Sequence, residues 1–392
     1  MNSSKHPELQ KIRAAGLAAA AFMAFFIFGF SDVLKGTAIP EIIAETSVGY
    51  NTGGALIGFT YFGFFAGTLG SVFVLKKRQA PELMGAAVII ACLGLSVFSL
   101  AANVGIMFIA AFLIGIGGGL IDVTANMTIR MSAEKTKLGR RLNQLAFFHG
   151  TGAIVSPMFA GLILSLTAQW RRIYFFAAVL TAVLVIIILA LIKKAGMKVV
   201  EEEEQDKLSI NPSVALLGGV LFFYMTLEAG ISGWMVEYGR TIGLSNQIAL
   251  FYLSLFFILL TAGRFLSSLY VDRLGLHKSI LLNFTVILAL VAGGITFKDF
   301  FILIPCAGFF MAPIFPTTVA LISNELGSTN IRTLGFFFAV AGLGGIFGPW
   351  MIGMLAKSFS LQTGLALLMV FAICAITICS LYSCVSYRGK KI

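Results

Sequence analysis

Five side chains that carry charge, or can acquire it, stand inside long apolar stretches: Asp32, Lys35, Asp122, His149 and Glu228. Placing such a group at mid-bilayer costs roughly 2.5–3.5 kcal/mol, so each needs a structural or functional reason. Asp32 and Lys35 are three residues apart and share a helix face. They are either a neutralising pair that lets the segment insert, or a cavity carboxylate tuned by a nearby ammonium. Burial favours the protonated form of a carboxyl, the property a proton-coupled machine needs. Asp122 and Asn126 are four apart on one face, with Arg130 continuing the stripe. That patch could bond a polar ligand or only a neighbouring helix. His149 lies between apolar residues and Gly150, with Gly152 beyond, which leaves space beside an imidazole able to bond hydroxyls or titrate. Glu228 follows Asp32 by 196 residues. Trp234 and Tyr238, four apart, and Trp350, after Pro349, offer aromatic faces for stacking or for an interfacial belt.

The elements that must hold these groups are membrane helices. Hydrophobic residues are 58% and charged residues 11% of the chain, against about a quarter charged in soluble domains. Charged and Gly/Pro-rich joints separate twelve apolar stretches, at about 16–40, 52–75, 82–102, 105–130, 142–168, 172–192, 213–238, 247–270, 279–297, 300–323, 333–356 and 361–386. Each can cross a ~30 Å hydrocarbon layer as a helix. The first is too long for a cleaved leader and is interrupted by Asp32 and Lys35. The expected fold class is all-α: twelve transmembrane helices in two pseudo-symmetric six-helix halves.

The net charge of +11 suggests nucleic acid until its placement is examined. With the N-terminus on the cytoplasmic side, 21 Lys and Arg fall on inner segments and 5 on outer ones, Arg171, Arg172, Arg240, Lys298 and Lys357. That is the positive-inside pattern. It predicts cytoplasmic termini, a multi-pass protein of the cell membrane in contact with lipid, and no nucleic-acid partner. Cys92, Cys306, Cys374, Cys379 and Cys384 all sit in apolar spans without metal-ligand spacing. No metal, cofactor or enzyme motif is present in the sequence; Gly117-Gly118-Gly119 lies mid-span with no adjacent strand to make a phosphate loop.

A charged stretch at 193–212, with Glu201 to Glu204 in a row, reads as a linker between halves 1–192 and 213–392. The halves echo each other. Gly150-Thr-Gly152-Ala-Ile154-Val-Ser-Pro157-Met-Phe-Ala-Gly161 matches Gly342-Leu-Gly344-Gly-Ile346-Phe-Gly-Pro349-Trp-Met-Ile-Gly353 at five of twelve positions, 192 residues on. Parallel halves of this kind are a transporter plan.

The loop Ser268-Leu-Tyr-Val-Asp272-Arg273-Leu-Gly275-Leu-His277-Lys278 resembles the G-x-x-x-D-R-x-G-R-K signature of the major facilitator superfamily, with Ser in place of the first Gly. The equivalent loop in the first half keeps the bases, Lys76, Lys77 and Arg78, and lacks the acid. Four further segments resemble the fucose–galactose–hexose:proton symporter branch: Gly29–Pro40, Gly117–Asn126, Arg141–Gly152 and Tyr224–Trp234. The resemblance covers essentially the whole chain. It links Asp32 and Asp122 to proton and sugar handling and implies that His149 faces the cavity; the pseudo-symmetry with Asp32 adds Glu228 as a third proton-coupling candidate. Asn126, Asn143, Gln144, Trp234, Tyr238 and Trp350 are the further candidate substrate contacts by residue type and place, and Asp272 and Arg273, with Arg264 about two turns before the loop, are the candidate gate. Asp122 stands where the branch often has Glu. The expected function is proton-coupled symport of a sugar or sugar-like polyol by a monomer. The alternative is proton-driven efflux of an amphipathic or cationic compound, which buried acids and abundant Phe would also serve.

The charge bias makes a direct prediction. With the native cysteines replaced, Glu203→Cys should resist a membrane-impermeant thiol reagent in intact cells and react after permeabilisation. Labelling from outside would overturn the topology.

Overall fold

A computed structural model describes residues 5–75, 79–195, 210–326 and 331–389. The bases Lys76, Lys77 and Arg78, most of the linker and both chain ends lie outside the described residues. The helices are α1 (Lys5–Thr37), α2 (Ile39–Thr46), α3 (Tyr50–Val74), α4 (Ala80–Ser99), α5 (Val104–Ser132), α6 (Leu138–Thr167), α7 (Trp170–Ala195) and α8 (Pro212–Thr241). They continue as α9 (Asn246–Leu266), α10 (Ser268–Leu274), α11 (Leu276–Thr296), α12 (Leu303–Met311), α13 (Ile314–Leu326), α14 (Ile331–Ser358) and α15 (Leu361–Gly389). Among the described residues twelve segments are long and apolar enough to cross a membrane, and they coincide with the twelve expected stretches. In lipid a helix satisfies its own backbone, which is why these runs can be nothing else.

Two spans are less regular than the hydropathy suggests. The first ends at Thr37, and Pro40 starts the separate short helix α2 at its first turn. The tenth is broken between α12 and α13 at Ala312 and Pro313, because proline cannot donate to the helix ladder.

Packing divides the chain into two compact units, Met1–Lys35 with Phe59–Glu201, and Gly36–Gly58 with Glu202–Ile392. The expected boundaries were 1–192 and 213–392; residues 36–58 pack with the second unit. The reason is backbone contact. Gly36 lies against the Ser232 carbonyl, Gly54 against that of Pro349, and Gly353 against that of Tyr50. Any side chain at these glycines would separate the segments.

The same device builds each unit, twice over. In the first, Gly115 of α5 abuts the Thr60 carbonyl of α3, and Gly67 of α3 abuts that of Ile116. In the second, Gly308 of α12 abuts the Phe256 carbonyl of α9, and Gly263 of α9 abuts that of Phe309. Gly152 of α6 meets the Phe26 carbonyl of α1, and Gly344 of α14 meets the Phe222 carbonyl of α8. These pairs are the internal repeat expressed as crossings: Gly152 and Gly344 are 192 apart, Phe26 and Phe222 are 196 apart. Lipid tails are as apolar as Leu, so close van der Waals approach at small residues does the work that hydrophobic burial does in water.

Gly115→Ala should therefore lower the Tm of the detergent-purified protein, by the 1–3 kcal/mol typical of overpacking at about one methyl. Gly139→Ala, with nothing within 4 Å of its new Cβ, should be neutral or slightly stabilising. Equal effects of the two would contradict this packing.

Candidate functional site

In the first unit the polar groups gather around Phe28 of α1. One turn further along the same face, Asp32 accepts a short hydrogen bond from Lys35 Nζ. Lys35 is 9% exposed and also stands 3.7 Å from the centroid of the Tyr61 ring on α3, a cation–π contact. The His149 ring meets Phe28 edge-on at 4.7 Å between centroids, and Phe25 at 6.0 Å. The approach of α6 that puts it there depends on Gly29, whose Cα faces the His149 carbonyl. Phe28 stacks on Phe64 of α3 at 5.6 Å and touches Gly118 of α5. Asp122 is one turn beyond Gly118. It is half-buried, and Asn126 Nδ2 donates to its backbone carbonyl at 2.8 Å and to its Oδ1 at 3.4 Å. Arg130, the third member of that stripe, is exposed.

The first unit thus brings Asp32 and His149 to one aromatic side chain, Phe28, while Asp122 lies one turn along α5 from the Phe28 contact at Gly118 and Asn126 a further turn on. It does not bring Asn143 and Gln144 there. They precede His149 on α6 by roughly 8–9 Å of helix rise. Asn143 is exposed, and Gln144 Oε1 accepts from Arg141 at 3.2 Å.

In the second unit Glu228 is half-buried on α8. One turn earlier, the buried Tyr224 hydroxyl interacts with both the Glu228 carboxylate and the Arg264 guanidinium of α9. Arg264 is placed with these two residues. Arg273 is exposed at the end of α10, beside Gly275 at φ 82°; the side chain of Asp272 lies outside the described residues. Trp234 is 0% exposed, and its indole N–H donates to the Pro349 carbonyl at 3.0 Å. Its ring lies against Gly53 and Gly353 and edge-on to Tyr50 at 5.8 Å. Tyr238 is equally enclosed and donates to the Ile295 carbonyl at 3.0 Å. In this conformation neither offers a face to a ligand. Trp350 is 41% exposed on α14.

A polar cluster that the sequence reading passed over closes one end of the second unit. Glu41 of α2 accepts from Arg240 at 3.0 Å and from Asn246 at 2.6 Å; Tyr50 donates to Glu237 at 3.2 Å. Beside it is a recess of about 260 Å³ lined by Pro40, Ile43, Ala44, Glu237, Arg240 and Thr241. No local spacing could reveal partners about two hundred residues apart. Tyr224 could have been found, since it precedes Glu228 by four. Among the described residues no cluster of His, Cys, Asp or Glu could hold a metal.

The profile of the Major Facilitator Superfamily matches residues 17–327. The chain belongs to that superfamily. The glucose/mannose transporter GlcP of Bacillus subtilis (strain 168) is 21% identical over 84% of this chain and 85% of its own. Among solved structures, a bacterial homologue of the human lysosomal transporter Spinster, inward-facing and unoccupied, has a TM-score of 0.77 at 13% identity. The alignment covers 95% of this chain and 97% of that one. The Escherichia coli fucose:proton symporter FucP has a TM-score of 0.66 at 17% identity, over 93% of this chain and 98% of its own. At such identities the structural likeness establishes the fold alone. The twelve-helix major facilitator architecture expected from the sequence is therefore the architecture of this chain, and it is a multi-pass membrane protein.

The geometry of Trp234 yields a test of its role. Trp234→Phe keeps much of the ring packing and removes one buried hydrogen bond. It should lower thermal stability by about 1 kcal/mol while leaving ligand affinity unchanged. A large affinity loss at unchanged Tm would instead make Trp234 a binding residue.

Proposed function

We propose that this superfamily member carries a sugar or sugar-like polyol together with protons, by alternating access. The observation that carries the reading is the first-unit constellation: a carboxylate tied to an ammonium in α1, His149 edge-on to Phe28, and the bonded pair Asp122 and Asn126 on α5, which packs against Phe28 at Gly118. Asp32 and Asp122 divide proton coupling and substrate recognition, with Asp32 the coupling acid, and Glu228 is a further candidate proton carrier. Asn126 and His149 supply the mixed donors and acceptors that suit hydroxyls, and Phe28 and Phe64 supply an apolar face near them. The names of the B. subtilis relative and of the fucose:proton symporter support sugar uptake over the exporter alternative.

The remaining roles follow from that reading. The halves 1–192 and 213–392 move about a midplane site, joined by the linker at 193–212. Arg264, Asp272 and Arg273 act at the inner gate. Both termini lie in the cytoplasm, the membrane is the cell membrane, and the carrier works as a monomer.

The test uses proteoliposomes and a panel of D-glucose, D-mannose and L-fucose, comparing counterflow with uptake driven by an imposed proton gradient. Asp→Asn keeps size and removes titration. At the coupling acid, Asp32→Asn should abolish accumulation and spare exchange. At the recognition acid, Asp122→Asn should weaken binding itself, and His149→Ala should lower affinity without abolishing coupling. If both Asn variants still concentrate sugar in proportion to the proton gradient, the acids are structural and the reading fails.

A further inference from the structure

Beside Asp32 the first unit holds a partly open cavity of about 10 Å³, whose lining includes Ser31, Asp32, Thr60, Phe28 and Phe64. That is close to the smallest space that admits one water, which also needs two to four polar partners. Ser31 is the unusual member. It is 4% exposed, and its Oγ has no hydrogen-bond partner among the described residues. A hydroxyl inside a helix ordinarily bonds back to the carbonyl one turn earlier. Thr124, Thr128, Ser132 and Thr226 all do so in this protein, at 2.6–2.8 Å. Ser31 forgoes that bond, and an orphaned buried hydroxyl costs on the order of 1–3 kcal/mol. Asp32 is similarly half-served. One carboxylate oxygen is held by Lys35, and the other receives no hydrogen bond from a described residue.

We propose that this cavity is a one-water site, anchored by Ser31 Oγ and the Thr60 hydroxyl. The water it holds is the immediate proton donor and acceptor of Asp32. The inference rests on the coupling role proposed for Asp32 and adds to it the positioning residues Ser31 and Thr60. Ser31 and Asp32 of α1 and Thr60 of α3 all line the cavity, a number of polar residues that matches the two to four partners a bound water needs. The rest of the lining is mostly apolar, so water held there serves the carboxylate and little else. Lys35 is poorly placed for the task, since its ammonium is engaged by both the carboxylate and the Tyr61 ring. Other titratable side chains on the packed elements include His149 on α6, Asp122 on α5, Cys92 on α4, whose thiol donates to the Ala178 carbonyl at 3.5 Å, and Tyr174 on α7, which donates to the Leu34 carbonyl at 3.3 Å; Arg130 of α5 is exposed. In the transfer, the water gains a proton from bulk solvent as it gives one to the free carboxylate oxygen. One O–H bond forms as another breaks, and one positive charge arrives as Asp32 becomes neutral.

The experiment measures proton-gradient-driven uptake and counterflow in proteoliposomes, with the panel sugar that shows counterflow. Ser31→Ala removes the anchor. Ser31→Thr keeps a hydroxyl and adds a methyl group to the 10 Å³ space, displacing the water. Both should slow gradient-driven uptake about tenfold or more, and shift its pH profile, with the counterflow KM within about twofold. Thr60→Val, on the neighbouring helix, should show the same split and serves if the Ser31 variants do not fold. Wild-type rates and pH profile in Ser31→Ala would overturn the proposal. So would full rescue by Ser31→Thr, because the hydroxyl itself would then suffice. Asp32→Asn in parallel separates the two levels. Accumulation by that variant sinks the coupling role, whereas loss of accumulation in Asp32→Asn with a normal Ser31→Ala sinks only the water site.

Discussion

An ammonium and a carboxylate, largely buried and three residues apart in one apolar helix, at 9% and 23% exposure, constrain everything around them. Neither could stay charged alone in that setting, and removing one leaves the other uncompensated. The Tyr61 ring gives Lys35 a second favourable surface, 3.7 Å away. Phe28, His149 and the α3 and α5 residues around them are held at fixed distances from that pair.

Glycine makes those distances possible. In lipid there is no solvent to drive helices together, so they stay where their surfaces fit. The Gly115–Thr60 and Gly152–Phe26 contacts bring α3, α5, α6 and α1 together at backbone range, and the matching contacts at Gly308 and Gly344 repeat the arrangement in the second unit. Residues 36–58 use the same kind of contact to join the second unit, reinforced there by Glu41 with Arg240 and Asn246. Chain order and packing therefore diverge over this one segment.

Much of this was legible in the sequence, for reasons that can be named. Lipid demands a minimum apolar length, so twelve spans were visible from composition and joints alone. The duplication was visible because its crossings require glycine at fixed places, and Gly152 and Gly344 could not be varied freely. Asp32 with Lys35, and Asp122 with Asn126, were visible because helix periodicity makes them neighbours. What stayed hidden depended on contacts between distant segments. The Pro349 carbonyl that takes the Trp234 N–H, and the Ile295 carbonyl that takes the Tyr238 hydroxyl, turn two apparent cavity aromatics into enclosed packing. The central position of Phe28 among 37 phenylalanines carried no mark of its own. The missing back-bond of Ser31 is a fact of geometry, not of residue type.

The two halves solve the same electrostatic problem differently. Asp32 and Glu228 occupy corresponding positions, yet the cation for Asp32 is on its own helix, while Arg264 reaches the Glu228 neighbourhood from α9 through Tyr224. A pair within one helix can exchange partners by side-chain rotation, with the helices standing still. A group spread over two helices ties its charge state to how those helices pack, since neutralising the acid leaves a guanidinium buried against a hydroxyl. The difference between the repeats comes down to one position: Lys35 lies three residues after its acid, and the equivalent place in the second half is Ile231.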